Sequence, residues 1–434
     1  MTRRMCVRRF CATAAVVIAL ACGAVSSADE PEVFLSVTKH EAEKIPLILL
    51  PVAGAPPALT AEVQQVLLDD LRRSGFFAVS ADASAAASSP PAKATLDRLK
   101  STGAKAVLWA LVTVTHDDLT LQGELFDTAV GRQLLAKRYL GKQAYARYVT
   151  HRLADDVVAQ MTGERGVAAT RVTYVSDQTR QKEIWLMDYD GASPRRVTGD
   201  HSLALSPRWT PDAKWISYLC YRSGNPDICM IDLTENRRWR LVTLPGLNMS
   251  PAWSPDGEWM AFASNVEGGN LELQRISRDG KRRQRMTFSN GDDLSPSWSP
   301  TGRQLVFVSD RGGSPQLYIM DADGANTRRL TFQGDYNTSP VWSPRGDWIA
   351  YACRRHGLMR LCLIHPDGRD GGIFTPDGDY NDESPTWSPT GRQLIFSSNR
   401  TGRYQLYLIQ SDGSGLEPLS NGSDNRTSPA WSPK

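Results

Sequence analysis

The chain is poor in the residues that carry most enzymatic and metal chemistry. Its 434 residues include only six histidines and seven cysteines. His40, His116, His151, His201, His356 and His365 are scattered, and none recurs beside Ser, Cys or Asp at a nucleophile's spacing. The G-x-S-x-G, Walker and H-E-x-x-H patterns are missing too. No catalytic residue, metal or cofactor is therefore expected. Asp188-Tyr189-Asp190-Gly191 and Asp321-Ala322-Asp323-Gly324 resemble the start of a calcium loop but lack its downstream glutamate. They sit where a tight turn is required, and turn chemistry explains them. Charge of one sign is also lacking. The net charge of +3 loses 4 when Arg3, Arg4, Arg8 and Arg9 are set aside with residues 1–28, leaving −1. That excludes an overall electrostatic footprint for nucleic acid.

Long hydrophobic runs are scarce. The stretch Ala12–Val25 falls short of the about 20 apolar residues that span a bilayer. A basic MTRRMCVRRF precedes it and Ser-Ser-Ala follows, ahead of Asp29. This is the layout of a signal peptide over 1–28, so the mature chain is expected to be exported without a transmembrane segment.

What the chain has instead is a period. Trp209, Trp253, Trp298, Trp342, Trp387 and Trp431 recur at intervals of 44, 45, 44, 45 and 44 residues, each in a Ser-Pro-x-Trp-Ser/Thr-Pro frame. Repeats of that length built from four short strands predict a β-propeller. One unit shows the plan: SPAW (250–253), EWMAFAS (258–264), LELQRIS (271–277) and RQRMTF (283–288). Asp-Gly joins the last two strands in five units, and Glu235-Asn236 takes its place in one. The first unit has no Trp strand of its own, so the strand bearing Trp431 is expected to complete it and close a six-bladed ring. The tryptophans are expected to pack between blades rather than to form a ligand cage.

Three cysteines fall in the signal segment. Cys220/Cys229 and Cys353/Cys362 share one internal spacing and lie three repeats apart, at sites where other units carry Ser264/Leu273, Ser309/Tyr318 and Ser398/Tyr407. Disulfides Cys220–Cys229 and Cys353–Cys362 are predicted for an exported chain, with four buried free thiols as the alternative.

Residues 29–45 form a polar tail containing the alternating stretch Val33-Phe34-Leu35-Ser36-Val37. A small α/β domain is predicted over 46–165, followed by the propeller over 166–434. Within the domain, Pro46–Val52 suits a buried strand, and Thr60 is expected to cap a helix through Arg73. Leu119–Asp127 and Gln133–Gly141 form a hairpin, and Gln143–Met161 forms a helix with Tyr148 on its core face. The segments ahead of each propeller Trp vary in a polar way: GDHSLALSP, PGLNMSP, GDDLSP, GDYNTSP, GDYNDESP and SDNRTSP. They connect the outer strand of one blade to the inner strand of the next, so they cluster at one mouth of the channel. Tyr336 and Tyr380, with Asp292, Asp293, Asp335, Asp379, Asp382 and Glu383, predict a partner-binding rim on rigid supports.

The repeat SPxWSPDGxxIAFxS…IYxMDxDGxxxRRLT, behind a signal peptide and a small α/β domain, resembles the TolB family, periplasmic components of Tol–Pal cell-envelope systems. His151…Asp155…Met161-Thr162-Gly163-Glu164-Arg165-Gly166, then Thr170-Arg171-Val172-Thr173-Tyr174-Val175, is similar to the family's passage from last helix to first blade. The resemblance implies a periplasmic, monomeric, non-enzymatic adaptor that supports outer-membrane integrity and cell division. It implies a Pal-like outer-membrane lipoprotein bound at Leu247, Asn248, Met249, Asp292, Asp293, Leu294, Tyr336, Asn337, Tyr380 and Asn381, with Asp335 on the same rim. It also implies that a TolA-like inner-membrane protein engages the tail through Val33, Phe34, Leu35 and Val37. The alternatives are a propeller that binds small ligands or saccharides, and a peptidase-type propeller without its catalytic domain.

Overall fold

The computed structural model describes residues 43–54, 56–82, 88–199, 202–221, 224–369 and 371–433. The expected signal peptide and the tail residues Val33, Phe34, Leu35 and Val37 lie outside them. No helix among the described residues is long and apolar enough to cross a membrane.

The N-terminal α/β region runs β1 (Ile45–Leu49), β2 (Ala53–Gly54), α1 (Pro57–Arg73), β3 (Phe77–Ala81), α2 (Lys93–Ser101), β4 (Ala106–Thr115), β5 (Asp118–Asp127), β6 (Arg132–Lys142) and α3 (Ala146–Thr162). The sheet order is β3-β1-β4-β5-β6, with β2 beside β4. Pairing is parallel around β1 and antiparallel through β4, β5 and β6. The period of two along β1 sorts its side chains between two cores. Leu47 and Leu49 pack with α1 and α3, while Ile48 and Leu50 pack with Leu96 and Leu99 of α2. At Gly123 of β5 an added Cβ would lie 2.5 Å from the Leu153 methyls, so only glycine lets α3 settle this close to the sheet.

Two local expectations fail. α1 begins at Pro57, not at a Thr60 cap, because proline lacks the N–H that a first turn leaves unpaired and already has a helical φ. Thr60 instead donates its hydroxyl to the Pro57 carbonyl at 2.8 Å. α3 begins at Ala146 after a 3₁₀ turn over Gln143–Tyr145, and Tyr148 is 44% exposed rather than in the core.

From Arg171 onward the chain forms six four-stranded antiparallel sheets arranged as a six-bladed β-propeller. The strand Arg426–Trp431 pairs with Arg171–Ser176, with Trp431 opposite Val172, and so completes the first blade. Its Trp431 indole donates to Thr170 Oγ1 at 2.7 Å, and Ser432 Oγ accepts from Arg171 N at 2.9 Å. All six frame tryptophans are buried, at 6–9% exposure. The indoles of Trp209, Trp298 and Trp387 donate to the backbone of the neighbouring blade, at Ala430, Ala252 and Val341. This satisfies the one polar atom of a ring that otherwise supplies apolar area between sheets. Asn236 takes φ 51° in place of the usual turn glycine.

Disulfides join Cys220 to Cys229 in the second blade and Cys353 to Cys362 in the fifth, each with a Cα–Cα separation of 5.9 Å. They bridge the second and third strands diagonally, since Tyr218 lies opposite Cys229 and Tyr351 opposite Cys362.

The α/β region and the propeller share one core. Leu68, Leu71 and Val158 belong to the same buried cluster as Tyr174, Met187, Leu406, Leu419 and Trp431. Polar links border it. Arg73 pairs with Glu417 at 2.7 Å, its carbonyl accepts from Gln393 and Gln410, and Glu164 pairs with Arg392.

Candidate partner-binding mouth of the propeller

Each inner strand enters the ring from a loop that leaves the outer strand of the preceding blade. A polar first strand residue is buried in four blades: Asn248, Asp293, Asn337 and Asp382 are at 0% exposure. These groups hold the loops. Asn248 donates to Leu244 O at 2.7 Å and accepts from Ser264 Oγ at 2.9 Å. Asn337 donates to Gln316 Oε1 at 2.8 Å and to Gln333 O at 3.0 Å. Asp293 takes both contacts from one Arg311 nitrogen, at 3.0 and 2.8 Å, and Asp382 accepts from Arg400 at 2.8 Å. Burial holds the Asp293 carboxyl above its ordinary pKa, although hydrogen bonds from Ser309 and Arg311 oppose the shift. Of the expected contact residues, then, Asn248, Asp293 and Asn337 lie beneath the surface.

The neighbours divide further. Leu247 and Tyr336 are exposed, at 38% and 36%, and Asp335 is exposed beside Tyr336. Met249, Asp292, Leu294, Tyr380 and Asn381 are half-buried. Met249 and Leu294 pack partly into the cores between blades. Asp292 Oδ1 accepts from Leu271 N at 2.7 Å, and Asn381 Oδ1 accepts from Met359 N at 2.9 Å. Such side-chain-to-backbone bonds give irregular loops the rigidity that a defined binding surface needs.

The rim carries basic groups beside its acids. Arginines answer its acids: Arg311 to Asp293, Arg354 to Asp335 at 2.9 Å, Arg400 to Asp382 and Arg426 to Asp424 at 3.1 Å. The Arg354 hydrogen bond holds the Asp335 carboxyl below its ordinary pKa. The same guanidinium groups stack on the rim aromatics, Arg354 over Tyr336 at 5.0 Å and Arg400 over Tyr380 at 4.4 Å. Arg360 also lies over Tyr380, at 5.0 Å, and donates to the Tyr380 and Gly378 carbonyls. Sequence reasoning missed these arginines. The signal was present, since Arg311 and Arg400 each stand 18 residues after their acid. Phe288 and Phe332 were missed as well. They occupy equivalent places in two adjacent connecting loops, at 76% and 73% exposure, and add apolar surface beside the tyrosine.

A second polar cluster lies where the two regions meet. His151 Nδ1 is 2.7 Å from Asp70 Oδ2, and Tyr189 Oη donates to Asp70 Oδ1 at 2.7 Å. Arg147 donates to Asp190 Oδ2, which lies 3.9 Å from His151 Nε2. The group Asp70–His151–Asp190 has metal-like spacing. Both Asp70 oxygens and Asp190 Oδ2 already have protein partners, one of them cationic, so the cluster ties α1 and α3 to the first blade. Burial opposes charge on His151, but the Asp70 hydrogen bond and the nearby carboxylates prevail and raise its pKa.

Comparison with known proteins agrees with this architecture. A model of the TolB amino-terminal domain matches residues 33–134, and a model of the TolB beta propeller domain matches residues 158–434. The chain belongs to the TolB family. The Tol-Pal system protein TolB of Geobacter sulfurreducens is 38% identical over 161 residues, covering 36% of this chain and 37% of that protein. Its counterpart in Desulfosudis oleivorans is 36% identical over 135 residues, 31% of each. The aligned stretches thus span about a third of these curated relatives. The crystal structure of TolB from Acinetobacter baumannii superposes with a TM-score of 0.78 at 27% identity, over 90% of this chain and 97% of that one. A chain of the nidogen/laminin complex, at 10% identity and a TM-score of 0.51 over 61% of this chain and 98% of that one, shares the fold alone.

Proposed function

We propose that the chain is a periplasmic, non-enzymatic adaptor of a Tol–Pal system. A Pal-like outer-membrane lipoprotein docks on the propeller mouth, and a TolA-like inner-membrane protein engages the tail through Val33, Phe34, Leu35 and Val37. Linking the two membranes in this way supports outer-membrane integrity and cell division. The observation that carries the reading is the rim of exposed Leu247 and Tyr336 and half-buried Tyr380, each set on a loop held by part-buried hydrogen bonds. Aromatic anchors on rigid supports lose little entropy on binding, which is how a few residues come to dominate an interface. The buried Asn248, Asp293 and Asn337 act by holding that rim in shape. The tail's apolar alternation suits strand addition to a partner's sheet edge.

Titration calorimetry with a Pal-type lipoprotein domain tests the docking arm. Saturable binding is expected. Saccharide or peptide binding, with no response to the lipoprotein domain, would replace this reading with that of a small-ligand propeller.

A further inference from the structure

We propose that the central channel of the propeller binds a small tetrahedral oxyanion of the phosphate class on Arg208, beneath a ring of six serine hydroxyls. The site lies deeper than the mouth loops and stands independently of partner docking there.

The ring comes from the repeat. In every blade the inner strand shifts register at its Ser-Pro pair, and the serine takes φ between 50° and 54°. A bulge of this kind re-aims a side chain out of the ladder. The six Ser-Pro pairs together line a cavity of about 220 Å³. Among the described residues none of the six serine hydroxyls bonds to another protein group, so all are available as donors.

Arg208 breaks the symmetry. It follows the proline of the second blade, where the other blades carry Ala252, Ser297, Val341, Thr386 and Ala430. Five short side chains leave room for one long one, and among the described residues Arg208 is the only charged one lining the cavity. One guanidinium nitrogen donates to the Pro207 carbonyl at 2.9 Å. Burial alone pushes its pKa down, and no carboxylate among the described residues opposes the effect. The mouth arginines differ, since Arg311, Arg354, Arg400 and Arg426 each have an acid.

Arg208 is half-buried in the channel wall, and a guanidinium does not give up its proton, so its charge there favours a counter-ion. An oxyanion answers that need, accepting two guanidinium N–H groups in a fork and further bonds from the ring of hydroxyls. The same charge repels a metal cation at this level. Four oxygens pointing in different directions use a ring of donors better than the two coplanar oxygens of a carboxylate.

Phosphate and acetate, each titrated against chloride at equal ionic strength, test the site in the full chain by calorimetry and by melting temperature. Saturable phosphate binding is expected, with Arg208→Gln weakening it by about tenfold or more. The paired change Ser250→Ala and Ser339→Ala keeps the charge and is expected to weaken binding by a smaller factor, which covers the case in which Arg208→Gln does not fold. Phosphate that binds no better than chloride overturns the proposal, as does undiminished affinity in a folded Arg208→Gln protein. Acetate binding in preference to phosphate overturns the tetrahedral assignment.

Discussion

The propeller mouth and the junction with the α/β region use the same residue types to opposite ends. At the junction, Asp70, His151 and Tyr189 are almost fully enclosed and bond to one another. At the mouth, the arginine pairs lie under or beside aromatics that keep a face open to solvent. Breaking an enclosed pair strands a charge in the interior, whereas removing a rim aromatic leaves nothing buried unpaired. The junction should therefore respond in stability, and the mouth in binding.

The largest effect is expected at ring closure. Deleting 428–434 removes most of the inner strand of the first blade and the Trp431 contact with Thr170, and it bares the edge of the strand Arg171–Ser176. Trp431→Ala alone should cost about 3–5 kcal/mol in denaturant unfolding. A truncated chain that melts like the full one would remove closure from the account.

Next comes the junction. His151→Ala leaves Asp70 buried without its imidazole partner, a loss of about 3 kcal/mol. The dependence on pH has a definite sign. Because the folded pKa of His151 is raised, its contribution is complete below about pH 6.5, the ordinary value. It fades as pH rises through the raised folded value. Melting curves of His151→Gln and the unaltered chain should converge as pH rises, and a gap that widens would reverse the assignment.

The disulfides rank third. Each closes a short loop, and replacing one cysteine pair by serines should cost about 2–3 kcal/mol on chain entropy. Removing either pair should leave partner affinity unchanged, because both bridges lie within blades.

The smallest effect on stability belongs to Tyr336→Ala with Tyr380→Ala. The melting temperature should stay nearly constant while affinity for a Pal-type domain falls by about tenfold or more. Unchanged affinity would move the docking site off these loops.

How far the sequence foretold these two regions follows from the range of the forces involved. Blade count, strand order and closure were legible because the Trp frame and the Asp-Gly turns are local and repeated. The rim was legible in place but not in detail. Asn248, Asp293 and Asn337 look like surface residues in a polar loop, and only packing against the next blade buries them. Their arginine and glutamine partners arrive from other strands, where pattern reading sees only a charged residue at a strand end. The junction was less legible still. In the sequence His151 is one of six scattered histidines and part of the family-like passage, with nothing local to mark its role: its partner Asp70 lies 81 residues away, and Tyr189, which also bonds Asp70, lies 119 residues from that aspartate.

Amide hydrogen exchange on the full chain, with and without a Pal-type lipoprotein domain, tests the division of labour most directly. The account predicts slowed exchange in the loops around Leu247, Asp292, Tyr336 and Tyr380, with the segments around Asp70 and His151 unchanged. Protection centred on α1 and α3, with the mouth loops unaffected, would contradict it.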